Sequence, residues 1–117
     1  MVVDDEAAIR EIIKVTLENN GYTVLTANDG TEAVATFASE KRTIAAALVD
    51  LMMPFMDGIA TIRSLQRLSP QTKFLAISGL MDHARISQLS ELPDVKFLAK
   101  PFTTEQILSM LESVLRK

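Results

Sequence analysis

The 117-residue sequence predicts an α/β domain with an open five-stranded parallel sheet and helices on both of its faces. Three observations carry this. Short β-rich runs alternate strictly with longer amphipathic stretches, at about 23 residues per unit, as right-handed crossover connections require. One run, Ala46-Ala47-Leu48-Val49, is apolar throughout, as a strand covered on both sides must be. Acidic, hydroxyl and lysine side chains fall just after the runs, where open parallel sheets gather their ligands.

The strand-like runs are Met1 to Val3, Tyr22 to Thr26, Ala46 to Val49, Lys73 to Ile77 and Val95 to Ala99. Five helices are expected to follow them. The first should present Ile9, Ile12, Ile13 and Leu17 on one face, and the last Ile107, Leu111, Val114 and Leu115. Start and stop signals agree with this division. Asp29 precedes Glu32 by three and Thr103 precedes Gln106 by three, which is capping-box spacing. Gly21, after Asn19 and Asn20, supplies the close of the first helix.

Nearly half of the residues, 48%, are hydrophobic, enough at this length to bury one core, so a single domain over residues 1–117 is expected. No stretch approaches the roughly 20 apolar residues of a membrane helix, and the start lacks a signal peptide's succession of charged, apolar and small residues. Membrane contact is therefore not expected. The absence of cysteine rules out disulfides and thiolate metal sites and suits a cytoplasmic location. Scattered Lys and Arg, within a net charge of −3, argue against direct nucleic-acid binding, which needs a concentrated positive face. With one Tyr and five Phe, stacking platforms for single strands are also scarce.

After the first strand come Asp4 and Asp5, after the third Asp50, after the fourth Ser78 and Gly79, and after the fifth Lys100 and Pro101. Three carboxylates at one sheet edge repel, and such a cluster asks for a cation. Mg²⁺ is the hard divalent ion that takes one or two carboxylates together with phosphate oxygens and waters. Asp5 and Asp50 are the expected direct ligands, with Asp4 acting through water. The chemistry these groups suit is phosphoryl transfer to a carboxylate, which is mostly positioning and charge neutralisation. Asp50 would be the nucleophile, Lys100 and Mg²⁺ would neutralise the phosphoryl oxygens, and Ser78 would donate a hydrogen bond to one of them.

Each residue taken singly has a plainer reading. Asp4 and Asp5 could cap a helix beginning near Glu6, Asp50 could be an ordinary turn former before Pro54, Asp57 and Gly58, and Lys100 a surface lysine. Joint placement at four strand exits favours the functional reading. His83, the single histidine, lacks a partner for a two-histidine metal site and reads as a surface or capping residue. Met52, Met53, Met56 and Met81 read as adaptable packing or partner contacts.

At these residues the chain resembles the response-regulator receiver family of two-component signalling, from Val3 through the last helix. The resemblance rests on Val3-Asp4-Asp5-Glu6, on the segment Val49-Asp50-Leu51-Met52-Met53-Pro54-Phe55-Met56-Asp57-Gly58, on Ser78-Gly79 and on Lys100-Pro101-Phe102. It implies a flavodoxin-like strand order, 2-1-3-4-5, and a phosphorelay function in which Asp50 takes a phosphoryl group with Mg²⁺ and the domain switches conformation. The implied donor is a histidine kinase or histidine phosphotransfer protein, and an output domain or protein reads the switch. Met52 joins Asp4, Asp5 and Asp50 in the implied metal set. Ser78 and Phe97 become the switch pair, although Phe97 also suits plain strand packing and lacks a tyrosine hydroxyl. Lys100-Pro101 matches the family's cis peptide bond. The fourth and fifth helices with the fifth strand form the implied contact face.

Receivers tune phosphoryl lifetime at positions matching Met52 and Leu80, two residues after Asp50 and Ser78. Both are apolar here and unable to orient water, which predicts slow loss of phosphate. Only three residues precede the acid pair, fewer than receivers usually have in a central strand. This suggests a piece of a longer polypeptide, such as the receiver of a hybrid histidine kinase. No DNA-binding segment is expected after Lys117.

Two rival functions remain at this point. An aspartate-nucleophile phosphatase would also use Mg²⁺, but the chain has little room for a cap domain, and Asp4-Asp5-Glu6 lacks a spaced Asp-x-Asp arrangement. P-loop, dinucleotide-turn and Ser-His-Asp patterns are missing too. A phosphate-independent, receiver-like binding module would keep the fold without the chemistry, yet every key position is filled. The domain is thus expected to be a phosphoacceptor that assists its own phosphorylation and not an enzyme.

Overall fold

Strands and helices alternate in the order β1 (Val2–Val3), α1 (Ala7–Glu18), β2 (Thr26–Ala27), α2 (Gly30–Glu40), β3 (Ala46–Asp50), α3 (Gly58–Leu68), β4 (Lys73–Ser78), β5 (Val95–Ala99) and α4 (Thr104–Leu115). The structure is a computed structural model that describes residues 1–40, 44–52, 58–79, 87–88, 90–92 and 94–115. The helix expected between β4 and β5 falls mostly outside the described residues, as do Leu80, Met81, His83 and residues 53–57.

All neighbouring strands are parallel, in the order β2-β1-β3-β4-β5. The sequence-predicted fold class and strand order therefore hold, with β1 an interior strand between β2 and β3. The apolar run of β3 divides by strand periodicity: Ala47 and Val49 enter one core, Ala46 and Leu48 the other. β4 does the same, with Phe74 and Ala76 opposed to Leu75 and Ile77. Phe37 of α2 and Ile59, Ile62 and Leu65 of α3 close the first core. Ile13 and Leu17 of α1 and Ile107, Leu111 and Val114 of α4 close the second. A continuous apolar strand is thus explained by helices on both faces.

The caps form at the expected positions. The Glu32 N–H donates to Asp29 Oδ1 at 2.8 Å, while the Glu32 carboxylate accepts from the Asn28 N–H. At α4 the box is reciprocal: the Gln106 N–H donates to Thr103 Oγ1 at 3.1 Å, and the Thr103 N–H donates to Gln106 Oε1 at 2.8 Å. Gly21 adopts φ 91° beyond α1. The Tyr22 N–H then returns to the Leu17 carbonyl and the Gly21 N–H to that of Glu18, a Schellman closure.

Two expectations need correction. The second strand was expected over Tyr22 to Thr26, but pairing covers Thr26–Ala27 alone. β1 offers two residues, Val2 opposite Thr26 and Val3 opposite Ala27, so the chain before Leu25 has no strand to pair with. Ile12 was expected on the buried face of α1, yet it is 61% exposed. Residues 9, 13 and 17 recur every four positions and form the stripe toward the sheet, leaving position 12 about 100° away from its centre.

Candidate functional site

Strand register assembles the site. Val3 pairs with Val49, so Asp4 stands level with Asp50, the last residue of β3. Asp50 pairs with Ile77, and Ser78, one step further on, with Ala99. The Lys100 N–H donates to the Ser78 carbonyl at 2.9 Å, which extends the β4–β5 ladder and delivers Lys100 to the same edge. The long lysine stem then reaches back over β4.

Lys100 Nζ lies 3.2 Å from Asp50 Oδ2, 3.4 Å from Asp4 Oδ2 and 3.4 Å from Glu6 Oε1. Asp4 and Asp50 are buried, whereas Asp5 is exposed. One carboxylate oxygen from each of the three acids lies within 4.8 Å of the others. The Met52 N–H donates to Asp50 Oδ1 at 2.9 Å, so that each Asp50 oxygen has its own donor. The Glu6 N–H donates to Asp4 Oδ1 at 2.9 Å.

That last bond tests the capping reading of Asp4. Glu6 is the N-cap of α1 and makes no side-chain cap bond, while Asp4 accepts from Glu6 itself and not from a first-turn N–H of α1. Asp4 shapes the loop; it does not cap the helix. Burial pushes the Asp4 carboxyl above its ordinary value and the Asp50 charge adds to this, opposed by the Glu6 N–H and by Lys100. For Lys100 burial works to lower the value. The combined pull of Asp4, Asp50 and the hydrogen bonds to Asp50 and Glu6 outweighs it and holds the ammonium above its usual range.

These groups face an open depression of about 380 Å³ lined by Asp5, Glu6, Asp50, Met52, Gly79 and Lys100. A larger cavity, about 580 Å³, lies at the opposite edge of the sheet, among Met1, Leu17, Tyr22, Leu25, Ile44 and Leu111. Its lining is largely apolar and brings no set of charged groups together, so size alone does not mark the site.

The structure thus brings Asp4, Asp5, Asp50, Met52 and Lys100 together and leaves Ser78 buried at the adjacent strand end. Phe97 stands back from the depression, half-buried against the first core. The Lys100-Pro101 bond is cis. Two residues enter without having been singled out for a role. Glu6 turns to Lys100, and Arg10 Nη1 donates to the Asp4 carbonyl at 2.7 Å, clamping the acid loop onto α1. The signal for Arg10 was its place one helical turn beyond Glu6, which itself reads locally only as a helix-start acid.

The response regulator receiver domain family matches residues 1–112. Response regulator MprA of Mycobacterium ulcerans (strain Agy99) is 35% identical over 118 residues, covering 100% of this chain and 50% of that protein. The chain spans about half the length of the curated relatives it matches. Among solved structures, the Vibrio cholerae chemotaxis protein CheY4 superposes with a TM-score of 0.87 at 29% identity, covering 97% of this chain and 95% of that one. A response regulator protein from Burkholderia pseudomallei, holding a phosphorylated aspartic acid, a calcium ion and citrate, gives 0.86 at 28% identity, with coverage of 98% and 66%.

Proposed function

The chain belongs to the response regulator receiver domain family of two-component signalling, and on that premise we propose that Asp50 is its phosphoacceptor. The observation that carries this reading is the meeting of Asp50 with Asp4, Asp5 and Lys100 at one open sheet edge. A phosphorylated aspartic acid in the Burkholderia relative supports it.

In the reaction, an Asp50 carboxylate oxygen forms a bond to phosphorus as the P–N bond to a donor histidine breaks. The imidazole leaves with the bonding electron pair. An aspartate nucleophile needs no general base, so the protein's task is to orient and to neutralise. The Met52 N–H and Lys100 Nζ, one on each Asp50 oxygen, hold the carboxylate plane. Lys100 then follows charge onto the phosphoryl oxygens, and Ser78 donates to one of them.

The acid cluster fits Mg²⁺: its donors are hard oxygens, and their spread is on the scale of the about 4.2 Å between opposite oxygens around an ion bound at about 2.1 Å. Asp5 and Asp50 would hold it directly, Asp4 through water, with Met52 in the set. When bound, the ion supplies neutralisation of the phosphoryl oxygens.

We assign residues 1–117 to one receiver domain that assists its own phosphorylation. Its partners in this reading are a histidine kinase or histidine phosphotransfer protein and an output domain or protein, meeting in the cytoplasm. Among the described residues no helix is long and apolar enough to cross a membrane. Ser78 and Phe97 form the switch pair, with Phe97 turning further into the core as Ser78 engages phosphate, a bias between two pre-existing states. Phe97 is half-buried and so still has surface to lose in that motion.

Incubation with Mg²⁺ and acetyl phosphate, followed by intact-mass measurement, should add one phosphoryl group to the parent and none to Asp50→Asn. A parent left unmodified by acetyl phosphate and by the less anionic donor phosphoramidate alike removes the reading. Met52 is 43% exposed and presents an apolar side chain at the mouth, where it cannot orient an attacking water. The phosphorylated form should therefore outlast seconds once donor is removed, and Met52→Glu should shorten its lifetime. A parent half-life of only seconds contradicts this.

A further inference from the structure

Glu6 occupies a position that its local structure does not explain. As the N-cap of α1 it could bond the helix's free N–H groups, yet it makes no such bond. Its carboxylate turns instead across the site to Lys100 Nζ, 94 positions away in sequence. The side chain is 62% exposed, so the pair adds little to stability. Its placement on the rim, beside Asp5, Met52 and Gly79, sets a negative charge where a phosphodonor must enter.

We propose that Glu6 is a specificity-determining residue that selects phosphodonors by charge, disfavouring highly anionic small molecules; this rests on Asp50 being the phosphoacceptor. Lys100 Nζ contacts three carboxylates, those of Asp4, Glu6 and Asp50, and the Asp5 carboxylate stands beside Asp4 and Asp50, so four acids face one lysine. With a divalent cation added the site still carries one net negative charge, and Glu6 is the carboxylate nearest bulk solvent that also holds Lys100. It acts twice against an anionic donor. Its own field repels the donor on approach, and its contact occupies the ammonium that the phosphoryl oxygens need. A phosphohistidine presented by a protein brings its own docking contacts and is less dependent on this field, so the same charge protects the switch from stray metabolic phosphodonors.

Two small donors separate the effect from general reactivity. Acetyl phosphate is a dianion at pH 7.5; its P–O bond breaks and acetate leaves. Phosphoramidate, protonated on nitrogen, is a net monoanion; its P–N bond breaks and ammonia leaves. Both place the same phosphoryl group on Asp50.

The test measures phosphorylation rate against donor concentration with Mg²⁺, for the parent, Glu6→Gln and Glu6→Lys. The ratio of the acetyl phosphate slope to the phosphoramidate slope should rise in the order Glu, Gln, Lys, by roughly twofold per charge step at low salt, and flatten as salt screens the site. Glu6→Asp, which retains the charge, should keep a ratio close to the parent's. If Gln weakens the helix start, Glu6→Ser supplies a neutral residue that caps well and should give the same ratio as Gln. A ratio unchanged across the charge series, or one that rises equally at high salt, overturns the assignment. Failure of the parent to gain phosphoryl mass from either donor would instead strike at Asp50 as acceptor.

Discussion

Gly58→Ala is expected to destabilise the protein by about 3 kcal/mol and to slow phosphorylation of Asp50, although alanine is the better helix former by about 1 kcal/mol. Gly58 opens α3, its N–H donates to the Leu51 carbonyl at 3.3 Å, and it is buried against the end of β3. A Cβ there would collide with the Asp50 carbonyl oxygen and the Leu51 Cα and stand 2.9 Å from the Asp50 carbonyl carbon. These are backbone atoms, and they cannot rotate aside as a side-chain tip would. Relief requires α3 to move away or the end of β3 to bend. Either movement disturbs the carboxylate that Met52 and Lys100 hold. Urea denaturation would read the stability loss, and intact-mass kinetics with acetyl phosphate the rate. A variant as stable as the parent would mean that the helix start yields freely, and the close approach would then have no bearing on the site.

The part of this arrangement that could be read from the chain is the part set by local rules. Alternating runs, capping boxes at Asp29 and Thr103, and the closing glycine at position 21 all report on neighbours in sequence. The strand-exit rule then places Asp4, Asp50, Ser78 and Lys100 together without any contact being known. What escaped depends on partners far along the chain. The extent of β2 follows from how many residues β1 can pair, and so Tyr22 to Leu25 could look β-rich and remain outside the strand. The exposure of Ile12 depends on which stripe of α1 meets the sheet. Glu6 reads locally as a helix-start acid, and only the fold reveals that its carboxylate faces a lysine from the other end of the molecule.

Lys100→Met should produce the other large effect, a loss of about 3 kcal/mol at pH 7.5 in chelator, because it leaves Asp4 and Asp50 buried without their shared cation. The pH dependence has a definite sign. Burial, reinforced by Asp50, already raises the Asp4 carboxyl above its unfolded value of 3.8, and removal of Lys100 removes a lowering influence. A carboxyl raised on folding favours the folded state most when protonated, below its unfolded value, and loses that contribution as pH climbs through the folded one. The deficit of the variant should therefore shrink as pH falls from 7.5 toward 5. The lysine itself is held above 10.5, so it remains charged across this window and the change belongs to Asp4. Mg²⁺ should restore more stability to the variant than to the parent, since the ion takes over neutralisation that Lys100 shares. Phosphorylation should still slow by about a hundredfold, because the ammonium that follows the charge onto the phosphoryl oxygens is gone and Ser78 alone is left to donate to them. Thermal unfolding at pH 5 and pH 7.5, with chelator and with Mg²⁺, separates these contributions. A deficit that stays constant with pH would place the role of Lys100 in packing of its stem instead of in its charge.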